Sequence, residues 1–348
     1  MRPALRSPRF WFGIVLSVAA LAWAVRGVAW ADLLAELSTA DYRWLVPTAA
    51  LVFAGQVARA ARWRVLFGRA PRPSLRDAFA ILSIGYLVSA VFPLRLGDPV
   101  RAWLADSHTP ARGAEAFGTV MVERAIDLLT VMALLAVVVP GPAARLLDAQ
   151  LGPGLWSEPG RLAVLAVAAV GAVYVGFFAM SRAGGRAGRA AAALLEAIGV
   201  PARFARRIGA AVAGFAAGVG ALAHPRAALS AAAWSLVVWV LGGLEYWVCL
   251  WAFHLDLSFA AAVFVLCGTA IFAILPSSPG YVGLFHTAVI VTLGMHAGVP
   301  KDAALSYAIV LHGVIMVVLI GLGLVGLRMM ALAPREIEAR LGGAVAEA

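Results

Sequence analysis

Cysteine is almost missing from this chain: Cys249 and Cys267 are the only two in 348 residues, and both lie in apolar runs. That excludes a disulfide framework and a thiolate metal site, and makes both small buried hydrophobes. Lysine is scarcer still, with Lys301 alone, so the net charge of +10 is carried by arginine. Charge of any kind is scarce. Only 13% of residues are Asp, Glu, Lys or Arg, against roughly a quarter in a soluble domain. Ten-residue segments of alternating polarity are also missing, which excludes a transmembrane β-barrel.

What fills the chain instead is apolar. Hydrophobic residues make up 63% and the mean hydropathy is +0.90. Several runs approach the ~20 residues that cross a ~30 Å hydrocarbon core. The expected fold is therefore all-α, a polytopic integral membrane protein forming one transmembrane domain, with a core over 10–332 and a tail at 333–348. A balance this basic would suggest nucleic acid in a soluble protein. Here the arginines gather between apolar runs, where they mark the cytoplasmic side and face anionic lipid, so no nucleic-acid partner is expected.

Charge asymmetry orders the runs. Residues 10–29 read as an uncleaved first span, although Ala29-Trp30-Ala31 offers a signal-peptide-like cleavage site. Asp32, Glu36 and Asp41 follow as an external segment, and 44–61 returns. Arg59, Arg62, Arg64, Arg69, Arg72 and Arg76 then mark a cytoplasmic loop, the first of them snorkelling from the helix end. Full spans are expected at 116–139, 161–180, 227–253 and 302–330. Arginines between 182 and 207 mark a second cytoplasmic loop. The short run 208–223, with the small-xxx-small pair Gly214 and Gly218, reads as a hairpin or interfacial helix. Both termini are expected in the cytoplasm, and tryptophans such as Trp30, Trp44 and Trp103 as interfacial anchors.

Two places break the pattern. Ala78 to Val91 is about 14 residues, short for a span, and ends at Phe92-Pro93-Leu94-Arg95-Leu96-Gly97-Asp98-Pro99-Val100-Arg101. Basic residues flank it on both sides, so 77–106 reads as a re-entrant hairpin from the cytoplasm. The second break is Pro276-Ser277-Ser278-Pro279-Gly280-Tyr281-Val282-Gly283, too rich in Pro and Gly for a continuous helix. It reads as a hairpin entered from outside. About six spans plus two opposed hairpins is the arrangement that points to a transporter site.

Three polar constellations accompany the breaks. Arg95, Asp98 and Arg101 join Glu123, Arg124 and Asp127. Glu123 and Asp127 are four apart and share a helix face. Guanidiniums suit phosphate oxygens, so this is either a phosphate seat kept neutral by its carboxylates or a structural ion-pair cluster. At the second break, Pro276, Pro279, Gly280 and Gly283 either aim a half-helix N-terminus at an anion or form a tight external loop. Glu245, inside an apolar run, is a proton relay or an arginine partner. His286 and His312 are proton-coupled groups or packing histidines. Their spacing with His254 or His296 does not make a zinc site, and no cofactor is expected.

Taken together, Pro93-x-Arg95-x-Gly97-Asp98-x-x-Arg101, Glu123-Arg124-x-x-Asp127 and Pro276-x-x-Pro279-Gly280-x-x-Gly283 make the chain similar to the flippase-like membrane family related to the transmembrane region of lysylphosphatidylglycerol synthase. The resemblance covers roughly 10–330. It implies a prokaryotic inner-membrane protein that binds or translocates anionic lipids, with lipid-pathway enzymes as further partners. No soluble transferase domain is read in the chain, so an enzymatic role does not carry over. A membrane-embedded headgroup enzyme, with Glu123 or Asp127 as base, and an assembly factor for a lipid or hopanoid pathway are the alternatives. Relatives typically carry glycine where Tyr281 stands, Glu in place of Asp98, an acid at His286 and an arginine near His312. The last two departures suggest that an acid–arginine pair has become a His–His pair.

Overall fold

The computed structural model describes residues 8–68, 70–92, 96–111, 113–138, 185–220, 225–275 and 278–333. Among these residues every regular element is helical. Helix α1 (Pro8–Val25) turns through 86° into α2 (Trp30–Thr39). Helices α3 (Leu45–Val65), α4 (Leu75–Val91), α5 (Gly97–His108) and α6 (Gly113–Val138) follow. After α7 (Gly185–Ala197) and α8 (Ala202–Gly220) come α9 (Pro225–Ala252), α10 (Phe259–Phe272), α11 (Leu284–Ala297) and α12 (Lys301–Met329). Exposed Val46, Val137, Leu229 and Val317, each 73–74% accessible, give the outside an apolar character that suits lipid rather than water.

Both expected hairpins form. In the first, Gly85 and Gly97 meet so closely that a Cβ on Gly97 would collide with Gly85 O and Ser89 Oγ, while Gly85 faces the Arg101 stem. Contacts 89–97 and 85–101 have a constant index sum, so α4 and α5 are antiparallel. In the second, Gly268 lies on Thr292 and the rings of Phe264 and His296 are 5.4 Å apart, which makes α10 and α11 antiparallel. At 14 residues each, these helices reach about 21 Å, short of a ~30 Å core. Together with its 3-10 turn, α11 is long and apolar enough to pass as a span, but its fold-back on α10 makes it half of a hairpin.

Helix α12 shows that the hairpins are opposed. Its C-terminal half packs antiparallel on α4, with Gly323 against Leu87 and Gly326 against Ala80 and Ile84. Its N-terminal half packs antiparallel on α11, where the rings of His286 and His312 are 5.1 Å apart. One hairpin therefore enters from each end of α12. Their tips meet beside its middle: a Cβ on Gly280 would lie 3.5 Å from Ala90 O and 3.7 Å from Met316 Sδ. Each hairpin also has its own apolar core, one around Trp63, Ile81 and Leu104 and one around Leu250, Leu293 and Tyr307.

Several expectations need adjustment. Four helices are long and apolar enough to cross a membrane, or five if the bent α1–α2 pair is one span; a count of six spans is not reached by length and composition among the described residues. Helix α6, at 26 residues, is long enough, but carries Glu115, Glu123, Arg124 and Asp127. The 161–180 span lies outside the described residues. Residues 185–197 are helix rather than loop, and α7 and α8 form a third antiparallel pair through Gly188 and Gly209. Trp30 is exposed, but Trp44 and Trp103 pack on the cores. Cys249 and Cys267 are buried and free, as expected. The single lysine acts as a clamp. Lys301 Nζ donates to the carbonyls of Trp23 and Arg26, both at 2.7 Å, closing the C-terminal end of α1.

Candidate functional site

The second half of α3 carries an internal polar stripe. Gln56, Arg59 and Arg62 recur at the helical period beside buried Val52, Trp63 and Leu66. Arg62 is 1% exposed, where the arginine-rich sequence suggested a cytoplasmic loop. The helix simply continues to Val65, since the first breaker after Arg62 is Gly68, with φ 57°.

Arg62 binds the predicted acidic pair. Its Nη1 and Nη2 donate to Asp127 Oδ1 and Oδ2 at 2.6 and 3.1 Å, and Nη2 lies 3.3 Å from Glu123 Oε1. Glu123 and Asp127 thus share one face of α6, as their spacing requires. Arg101 Nη2 donates to Glu123 Oε2 at 2.7 Å, while its guanidinium lies 4.7 Å above the Trp63 ring. Arg124 forms a bidentate pair with Asp98, at 2.9 and 3.2 Å. On α9, Ser235 and Trp239 contact Arg62 and Asp127 at 3.4 Å. The cluster therefore joins α3, α5, α6 and α9.

Its six charges cancel, with Arg62, Arg101 and Arg124 against Asp98, Glu123 and Asp127. Neutrality is what makes such burial tolerable, since lone ions cost several kcal/mol each. The sequence expectation reached the same balance with Arg95 in the place Arg62 takes; Arg95 and Pro276 lie outside the described residues. Burial sorts the members. Arg62, Arg101 and Glu123 are closed in, with side chains 1–2% exposed, whereas Arg124, Asp98 and Asp127 are 37%, 19% and 23% exposed. Arg101 is consequently a scaffold for Glu123, and Arg124 is the open cation of the cluster.

A cavity of about 620 Å³ adjoins these open groups. Asp98, Arg124 and Asp127 line it from one side, Arg59 and Glu245 from another, and Tyr281, Phe285 and His312 beside the second hairpin tip. At that tip Gly280, Tyr281 and Gly283 all have positive φ, at 66°, 60° and 89°. The left-handed region favours glycine, which explains why a glycine suits the place Tyr281 holds. His312 Nε2 and Gly280 O are 2.8 Å apart, and His312 stacks on Phe285 at 4.6 Å. His286 and His312 are brought together, Pro279 opens the 3-10 turn, and α11 begins directly after Gly283 without a side-chain cap. Its first residues, Leu284 and Phe285, also border the cavity.

Arg59 and Arg62 are the polar residues that sequence reasoning misplaced. Helical phase is the signal that finds them, because both fall on the buried stripe of α3. Among the described residues, no group of three His, Cys, Asp or Glu side chains could hold a metal ion.

A family model described as the lysylphosphatidylglycerol synthase TM region matches residues 10–323. A curated protein of Haloferax volcanii, named glycosyltransferase AglD, is 28% identical over 330 residues, which cover 87% of this chain and 51% of that protein. The chain thus spans about half the length of this relative. No solved structure matches it.

Proposed function

The chain belongs to the lysylphosphatidylglycerol synthase TM region family, a multi-pass membrane class, and from that premise we propose that it binds an anionic membrane lipid and moves its headgroup between leaflets. The observation that carries this reading is the cavity itself. It is mostly apolar yet is lined by three arginines, Arg59, Arg101 and Arg124, and lies where the tips of two opposed hairpins meet. Apolar walls suit acyl chains and guanidiniums suit phosphate. The uncapped start of α11 adds unpaired N–H groups and a positive helix end.

In this reading, Asp98 and Asp127 neutralise Arg124 when the site is empty and give way when a phosphate arrives. The inner trio of Arg62, Arg101 and Glu123 holds the outer groups in place. Alternating exposure would follow if the tips part from one side and then the other, with the His312–Gly280 contact tying the second tip to α12 between turns. A bacterial or archaeal cytoplasmic membrane, with both termini inside, is the setting that the arginine-rich 185–207 segment favours.

Proteoliposomes carrying fluorescent phosphatidylglycerol test this. The protein should accelerate leaflet exchange, and Arg124→Ala should slow it about tenfold or more, the equivalent of one lost charge-assisted hydrogen bond. Lipid mass is followed in parallel. A changed mass would instead favour a headgroup transferase, in keeping with the name of the Haloferax relative. Neither exchange nor altered mass would favour an assembly role beside lipid-pathway enzymes.

A further inference from the structure

The charged residues of the cavity are not equivalent. Arg124 is already matched by a bidentate carboxylate, Arg101 borders the cavity but is engaged by Glu123 at 2.7 Å, and Arg62 is sealed behind them. Arg59 is different. It lines the same cavity, yet among the described residues no carboxylate lies within 4.0 Å of its guanidinium and it donates no side-chain hydrogen bond. Its Nη1 folds back along α3 into the space left by Gly55, where an added Cβ would lie only 3.0 Å away. Glu245, on α9, is the matching case. It is 6% exposed, lines the cavity, and among the described residues forms no ion pair or hydrogen bond. Arg59 and Glu245 border the same cavity from different helices, α3 and α9. Tyr246, its neighbour in sequence, is engaged elsewhere, with its hydroxyl 2.9 Å from Thr269 Oγ1.

An unpaired guanidinium and an unpaired carboxylate that line one cavity without pairing with each other form an incomplete site. We infer that Arg59 is the primary anion-binding residue of the cavity, and that Glu245 is the acid an incoming phosphate monoester or diester displaces from its influence. The neutral six-residue cluster then serves as the wall against which the anion is seated. This rests on the lipid reading above and deepens it, because it moves the main phosphate contact from Arg124 to a residue one turn before Arg62. Ligand affinity follows from the signs. Removing Arg59 removes the attraction, whereas neutralising Glu245 removes a competing negative charge.

Opposite responses at these two positions are the test. Purified protein in neutral detergent is titrated with dioctanoyl phosphatidylglycerol and with inorganic phosphate, and binding is read by native mass spectrometry; dioctanoyl phosphatidylcholine is the control. Arg59→Gln should weaken phosphatidylglycerol binding about tenfold or more, and Arg59→Lys should restore part of it as a point charge. Glu245→Gln should tighten it several-fold. Binding of free phosphate by the wild type, lost in Arg59→Gln, would assign the site to the anion itself. Phosphatidylglycerol binding without it would assign the site to the whole lipid. Melting temperature should hardly change in Arg59→Gln, as no ion pair is broken. Unaltered lipid affinity in both variants, or equal losses in both, overturns the assignment while leaving lipid binding intact. A wild type that binds none of the probes overturns this inference together with the function on which it rests.

Discussion

Glu123→Gln should destabilise the folded protein by about 3–5 kcal/mol, the cost of leaving a buried ion without its partner. Glu123 is fully enclosed and holds two arginines, Arg101 at 2.7 Å and Arg62 at 3.3 Å. Neutralising it leaves Arg101 with only Asp98, at 3.7 Å. Thermal unfolding in detergent would show the loss. Arg101→Met combined with Glu123→Gln should be less harmful than Glu123→Gln alone, because replacing both halves of a buried pair leaves no uncompensated charge. Coupling of about 0.5–3 kcal/mol is expected between the two sites. Simple additivity would mean that the cluster is wetter and looser than its distances indicate.

The second large effect belongs to Gly283. Its φ of 89° lies where side chains are strained, and a Cβ there would strike Ser17 O and crowd Leu21 of α1. Overlap costs roughly 1–3 kcal/mol, and the backbone conformation adds about as much. Gly283→Ala should therefore lower stability by several kcal/mol. It should also detach α1 from the hairpin, which is tied there by Ser278 N to Ser17 Oγ at 2.8 Å and Thr287 Oγ1 to Ala20 O at 2.9 Å. Gly298 is the matched control: its φ is 63° but nothing lies within 4 Å of the added Cβ. Gly298→Ala should show the backbone cost alone. Equal losses at the two positions would count against the close approach of α1.

Both hairpins were legible in the sequence because each is written locally. An apolar run too short to span is followed by Pro and Gly, and α11 starts at Leu284, directly after the Pro- and Gly-rich 276–283 stretch. The acidic half of the cluster was equally plain, since a four-residue spacing fixes which face Glu123 and Asp127 share. Arg62 was hidden by its company. A charge rule counts arginines along a segment, whereas burial depends on the angle at which each leaves the helix; Arg62 points inward while Arg64 turns away to bond Pro73 O at 3.0 Å. The meeting of the tips and the Lys301 clamp on α1 join residues far apart in the chain. No local pattern encodes either contact.

The place where Gly280 approaches Ala90 has an electrical consequence. If water enters from both faces as far as the two tips, the membrane voltage falls across the thin dry septum between them instead of over the whole ~30 Å of hydrocarbon. One elementary charge crossing the full voltage exchanges about 2.3 kcal/mol per 100 mV. A negatively charged group handed past this septum would traverse most of that field within a few residues, so the polarity of the cell would set which leaflet it prefers.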